Sequence, residues 1–112
     1  MNNTLSIKEI SMLPEKFKNR IETDLNLVAK TIPDYLKNKE DQFLKYWNTP
    51  ELEGFLEGFL VGMCETNYIQ SFQKVYDQFP SKCQIDEINK IIARRRFQFQ
   101  QGILAAIKES KN

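Results

Sequence analysis

The stretch from Thr49 to Phe79 limits what this chain can fold into more than any other. It opens on Thr49-Pro50-Glu51, runs through an apolar segment with glycines at 54, 58 and 62, and stops at Phe79-Pro80. A hydroxyl followed by proline, whose missing N–H costs nothing at the first helical position, reads as a helix start. Glu51 and Glu53 in the first turn suit the positive end of the helix dipole. At 100° per residue, Leu52, Phe55, Leu56, Phe59, Leu60 and Met63 fall within an arc of about 140°, a core-facing stripe. Beyond Cys64 the stripe passes to Tyr68, Ile69, Phe72, Val75, Tyr76 and Phe79, on nearly the opposite side of the same cylinder. A stripe that changes sides without an internal proline predicts one continuous or gently kinked helix, buried by different neighbours along its length. Any bend is expected at Cys64-Glu65-Thr66-Asn67.

Glycine inside a helix costs about 0.5–1 kcal/mol relative to alanine, so Gly54, Gly58 and Gly62 together cost roughly 1.5–3 kcal/mol. Their spacing of four places them on one slowly drifting strip beside Phe55 and Phe59. A bare strip lets another helix approach its backbone closely, as small residues do between membrane helices. A membrane setting is excluded by Glu53, Glu57 and Glu65 and by the lack of about 20 consecutive apolar residues. The strip therefore accommodates an aromatic of the same chain, Trp47 or Phe97, or a second subunit, or else gives a ligand access.

The rest of the chain reads as helices arranged around this one. Residues 1–5 are expected to fray, and Ser6-Ile7-Lys8-Glu9 has the capping-box spacing of a short helical turn. Phe17, Ile21, Leu25, Val28 and Ile32 recur at helical intervals and predict a helix over about 14–31. Thr31-Ile32-Pro33-Asp34 reads as its end and as the cap of a second helix over 33–47. The apolar residues of that helix (Tyr35, Leu36, Phe43, Leu44, Trp47) are interrupted by the polar stretch Lys37 to Gln42. The central helix then spans about 50–79, a turn follows through Gln84, and a last helix covers 84–108. Ile85, Ile88, Ile92, Phe99, Ile103 and Ala106 form its main stripe, and Ala93, Phe97 and Leu104 a second one about 120° away. A terminal helix with two apolar faces is either central in the bundle or buried by a second subunit. No alternating strand pattern competes, and residues 109–112 are expected to fray. The expectation is an all-α protein: a small bundle of four main helices plus a short N-terminal turn, one domain over residues 1–112.

Charge sharpens this picture. The 112 residues carry a net charge of +1, which advertises neither nucleic acid nor a membrane surface. Residues 40–65 nevertheless hold −5 and residues 66–112 hold +4, so an acidic helix and a basic helix are expected side by side, in one chain or across a dimer. Cys64 and Cys83 fit no metal or redox spacing, and hairpin geometry about Pro80 holds them too far apart for a disulfide. Free thiols and an N-terminus without the basic-then-apolar layout of a signal peptide give a cytoplasmic expectation.

Chemistry is mostly excluded. The chain has no histidine, which removes Ser-His and Cys-His nucleophile pairs, His-based metal sites and the Glu-x-x-His di-iron pattern. No glycine-rich phosphate loop is present. Glu53 and Glu57, one turn apart, read as a solvated pair, and carboxylates near Cys64 would raise its thiol pKa and keep it inert. Arg94-Arg95-Arg96 is the strongest positive signal. Three consecutive helical residues fan over about 200°, so salt bridges to the acidic segment are the first expectation.

These features read as a non-enzymatic helical protein–protein interaction module (an adaptor, accessory subunit or small regulator) without metal or cofactor. It is expected to self-associate, a dimer being favoured, or to bind a helical partner through Gly54, Gly58, Gly62, Phe55, Phe59, Phe97 and Leu104. One alternative is a nucleic-acid-associated protein using Lys90, Arg94, Arg95 and Arg96. A third is a carrier of an apolar ligand among Phe55, Phe59, Phe72 and Phe99.

Overall fold

A computed structural model describes residues 12–37 and 51–110. Among these residues the chain is all-α, with four helices and no strand: α1 (Glu15–Lys37), α2 (Leu52–Tyr76), α3 (Lys82–Ala93) and α4 (Arg96–Ser110). The four-helix all-α bundle is as expected, but several helix boundaries fall elsewhere, two of them with structural consequences. The expected N-terminal turn at Ser6–Glu9 and the expected helix beyond Lys37, with Phe43, Leu44 and Trp47, lie outside the described residues.

The first difference is at Pro33, where α1 runs straight through the expected break. Proline inside a helix forfeits a backbone hydrogen bond and crowds the carbonyl four residues back, at a cost of about 3 kcal/mol. Ile32 and Leu36 flank it, and both are fully buried. Only a continued helix keeps them on the face of Phe17, Ile21 and Leu25, and burying two such side chains contributes about 3–6 kcal/mol. Packing outweighs the lost bond.

The second difference is at Arg94-Arg95, where the expected 84–108 helix divides into α3 and α4. No proline or glycine stands there. The backbone ladder tightens instead, with Arg95 N–H donating to Ile92 O at 2.9 Å, an i→i+3 step of the 3₁₀ kind. The break redirects the chain: α3 packs mainly on α2, whereas α4 makes its closest approach to α1. The start of α3 is earlier than expected because Ser81 and Gln84 form a capping box, each side chain bonding the other's backbone N–H. Gln84 is also nearly buried, and its Nε2 donates to Met12 O at 3.2 Å. With Leu13 N–H donating to Glu87 Oε1 at 2.7 Å, this ties the start of α1 to α3.

The central helix is continuous, as expected, though it begins at Leu52 with an N-cap Glu51 that makes no side-chain cap bond. It ends at Tyr76, where Asp77 takes the left-handed conformation (φ 54°), one that Asp tolerates better than most residues. Its buried residues, Leu56, Leu60, Cys64, Tyr68 and Phe72, are spaced four apart throughout. Each step overshoots a full turn by about 40°, so the buried line winds through about 160° along the helix. The two opposed stripes in the sequence are the two ends of this one spiral. Near its start α2 faces α4, where Glu57 meets Arg96; near its end it faces α1, where Phe72 packs edge-on to Phe17 with ring centroids 5.4 Å apart.

Contacts along the helices set their directions. Tyr35 stacks on Phe59 and Phe17 meets Phe72 edge-on, so α1 and α2 are antiparallel. Arg95 reaches Glu22 and Gly102 abuts Ile32, so α4 runs parallel to α1. The result is three columns, up-down-up, the third made of α3 and α4 end to end. Their shared core includes Phe17, Ile21, Leu25, Leu56, Leu60, Ile88, Ile92, Phe99 and Ile103.

Candidate partner-docking surface

Residues two apart on a helix point about 200° apart. Gly54, Gly58 and Gly62 each precede a buried residue of α2 by two positions (Leu56, Leu60, Cys64), so they follow the buried spiral on the opposite, outward side. All three are exposed. A Cβ added at Gly58 or Gly62 would meet nothing described within 4 Å, and one at Gly54 would meet only Glu51 Oε2 at 3.9 Å. The close backbone approach expected of this strip occurs at the fourth glycine instead. A Cβ on Gly102 would lie 2.8 Å from Ile32 Cγ2 and 2.9 Å from its Cβ, where α4 meets α1. Phe97 does not cover the strip. It is 71% exposed.

The expected interface residues divide into two groups. Gly54, Phe97 and Leu104 come together, lining with Glu53, Glu57 and Ile103 a groove of about 350 Å³ between α2 and α4. Leu104 is 43% exposed there. Gly58 and Gly62 extend the same outward surface along α2. Phe55 and Phe59 lie on the other flank, half-buried against the core edge, and Phe59 stacks on Tyr35 with ring centroids 6.5 Å apart. Tyr35 Oη donates to Met63 Sδ at 3.5 Å. Within the groove Glu57 is held by Arg96 Nε and Gln100 Nε2, each at 3.2 Å. Glu53 in the groove and Glu65 beyond the strip form no ion pair among the described residues.

The arginine run sits at the α3–α4 junction and is spread across two flanks. Arg95 is largely covered and bonds Glu22 Oε1 at 3.0 Å, Glu22 O at 3.4 Å and Asn26 Oδ1. Arg94 lies 3.8 Å from the other oxygen of Glu22, while Arg96 turns to Glu57 on α2. Lys90 pairs with Asp86 one turn back, both well exposed. Arg94 and Arg95 thus bind α1 to the junction and Arg96 binds α2, so these cations already have carboxylate partners. Glu57 supplies the acidic segment's share; Glu22 lies outside that segment.

The remaining reactive groups are quiet. Both cysteines are free, Cys64 buried and Cys83 exposed. Burial, and then the Asp24 carboxylate, pushes the Cys64 thiol up to about 11, so the raised value comes from desolvation and not from Glu53 or Glu57. Tyr68 hydrogen-bonds Asp24 Oδ2 at 2.6 Å, and burial together with that bond raises its phenol well above the usual range. No cluster of three or more Cys, Asp or Glu able to hold a metal exists among the described residues. No described helix is long and apolar enough to cross a membrane. The aromatics named for an apolar ligand do not surround one space. Phe72 packs on Phe17 and Tyr76 at one end of α2, and Phe59 lies 13 residues, about 20 Å, toward the other.

Leu27 stands off the stripe that runs from Phe17 to Leu36, a departure legible in the spacing alone. It is 61% exposed and lines a second groove, between α1 and α2. Compared with family models, with curated proteins and with solved structures, the chain matches none of them.

Proposed function

We propose that this chain is a non-enzymatic helical interaction module that docks a helix of another protein on the outward face of α2. The observation that carries the reading is the strip of Gly54, Gly58 and Gly62, which faces away from the core and is open among the described residues. A helix that keeps three glycines where no described neighbour needs the space forgoes roughly 1.5–3 kcal/mol, and close approach of a partner backbone is what such a strip provides. Phe97 and Leu104 beside it supply apolar anchors, and Glu53 and Glu65 leave carboxylates for basic residues on the partner.

Charge argues against a symmetric pair of copies on this face. Antiparallel pairing about Gly58 sets Glu51 of one copy against Glu65 of the other, and parallel pairing sets like residues side by side. Like charges so placed repel. The test uses the wild-type chain, Gly58→Leu and Phe97→Asn as baits, with helicity checked by circular dichroism. Proteins bound by the wild type are expected to be lost with both variants. Capture of the same proteins by all three overturns the reading. Sedimentation equilibrium separates the other occupant: a dimer that dissociates on Gly58→Leu assigns the strip to a second copy.

A further inference from the structure

The backbones of α1 and α2 approach each other less closely than either approaches α4. Aromatic rings hold the two helices apart, with Phe17 packed against both Phe72 and Tyr76 and Tyr68 reaching across to Asp24. On the side away from α3 and α4 this leaves a groove of about 830 Å³. Phe17, Ile21 and Tyr68 at its base are already buried in the core, and the apolar surface it offers is that of Leu27, 61% exposed. From Lys16 to Leu27 it follows three turns of α1, about 16 Å.

We infer that this groove docks an acidic amphipathic helix of a partner protein. Lys16 and Arg20 stand one turn apart on its α1 rim, and neither forms an ion pair among the described residues. That sets them apart from Lys18, Arg94, Arg95 and Arg96, all held by carboxylates. On the α2 rim Asn67 and Ser71 are neutral, and Lys74 follows along the same side of the helix. The one carboxylate lining the groove, Asp24, accepts a hydrogen bond from the neutral Tyr68 hydroxyl and keeps its charge, so the two lining cations exceed it by one. The net charge of the rim is therefore basic, and its complement is a helix with carboxylates one turn apart. Exposed Leu27 selects against nucleic acid, because a phosphate backbone gains nothing from covering it, whereas an amphipathic helix packs its own apolar stripe there. The site is separate from the outward face of α2 and carries the opposite charge.

The probe is a phage-displayed library of amphipathic helices about four turns long, randomised at the positions flanking the apolar stripe and panned against the full chain. Enriched helices are expected to carry Asp or Glu at i and i+4. Their affinity, read by fluorescence anisotropy, falls about tenfold or more on Arg20→Glu or on Leu27→Asn and is unchanged by Phe97→Asn. A helix with lysine at the two acidic positions binds Arg20→Glu more tightly than wild type. Because Arg20 and Leu27 are exposed, circular dichroism of both variants should match wild type. No enrichment, enrichment of neutral or basic helices, or affinity indifferent to both substitutions overturns the inference. So does a single-stranded oligonucleotide that displaces the helices and binds more tightly.

Discussion

Replacing Gly58 by alanine adds one methyl group to a helix surface where nothing described lies within 4 Å. No contact with a described residue is gained or strained, so the effect is that of helix propensity and of the unfolded chain's lost freedom. Both favour alanine, by about 0.5–1 kcal/mol. Gly62 has the same open surroundings, and the 3.9 Å contact at Gly54 is ordinary van der Waals distance. The three sites are one turn apart and share no partner side chain, so their effects should add to roughly 1.5–3 kcal/mol. Urea titration of the isolated chain reads this as a midpoint raised by about 1 M at unchanged m. Thermal unfolding reads it as several degrees per alanine. Partner capture moves the other way, because methyl groups hold a docking helix off the α2 backbone. A stabilised chain that has lost its partner is the expected pair of results. Destabilisation by Gly58→Ala in the dilute isolated chain would refute the reasoning, since the strip would then already be covered.

Gly102→Ala should act oppositely, because its new methyl would meet Ile32 at 2.8 Å; a loss of about 1–3 kcal/mol in urea unfolding is expected. Arg95→Met removes the bonds from the α3–α4 junction to Glu22 and Asn26, and with Arg95 largely covered the loss should be about 1–2 kcal/mol, against almost none for Lys90→Met. Alkali should unfold the chain partly through Cys64. Its folded value of about 11 stands above the ordinary 9.0, so the folded state holds the proton longer, and its contribution is full below pH 9 and lost as pH rises towards 11. Cys64→Ala should flatten stability against pH in that window, whatever the substitution does at pH 7. At neutral pH a thiol reagent should modify exposed Cys83 at once and buried Cys64 only at the rate of opening, giving two well-separated phases.

What the chain reveals before folding, and what it conceals, follows from which forces are local. The α1 stripe from Phe17 to Ile32 and the continuity of α2 are written in spacing, because burial of one face decides them. Passage of α1 through Pro33 is not, since it depends on Ile32 meeting Gly102 seventy residues away. The junction at Arg94-Arg95 is equally hidden. It lacks a proline or glycine, and its bonds run to Glu22 and Asn26 on another helix. Ser81 and Gln84 are a legible capping box that moves the start of α3 forward to Lys82. Of the docking residues, the glycine strip was visible, but its direction required knowing that the buried residues of α2 repeat every four. Phe97 and Leu104 share a second stripe in the sequence; their place beside Gly54 is a tertiary fact.

The placement of the glycines along α2 bears on why they are there. In a helix buried every fourth residue, the outermost position is always two before a buried one. In the first half of α2 those positions are Gly54, Gly58 and Gly62; in the second half, before Tyr68 and Phe72, they are Thr66 and Gln70. A helix weakened for its own sake would not confine its glycines so. The bare length, about 12 Å from Gly54 to Gly62, matches the contact between two helices that cross at close range. It is also the half of α2 that borders Phe97 and Leu104, whose exposed apolar surface would be covered by the same crossing helix. Backbone access and apolar anchors thus occur together on one half of one helix, and the other half of the same helix carries ordinary polar side chains at the equivalent positions.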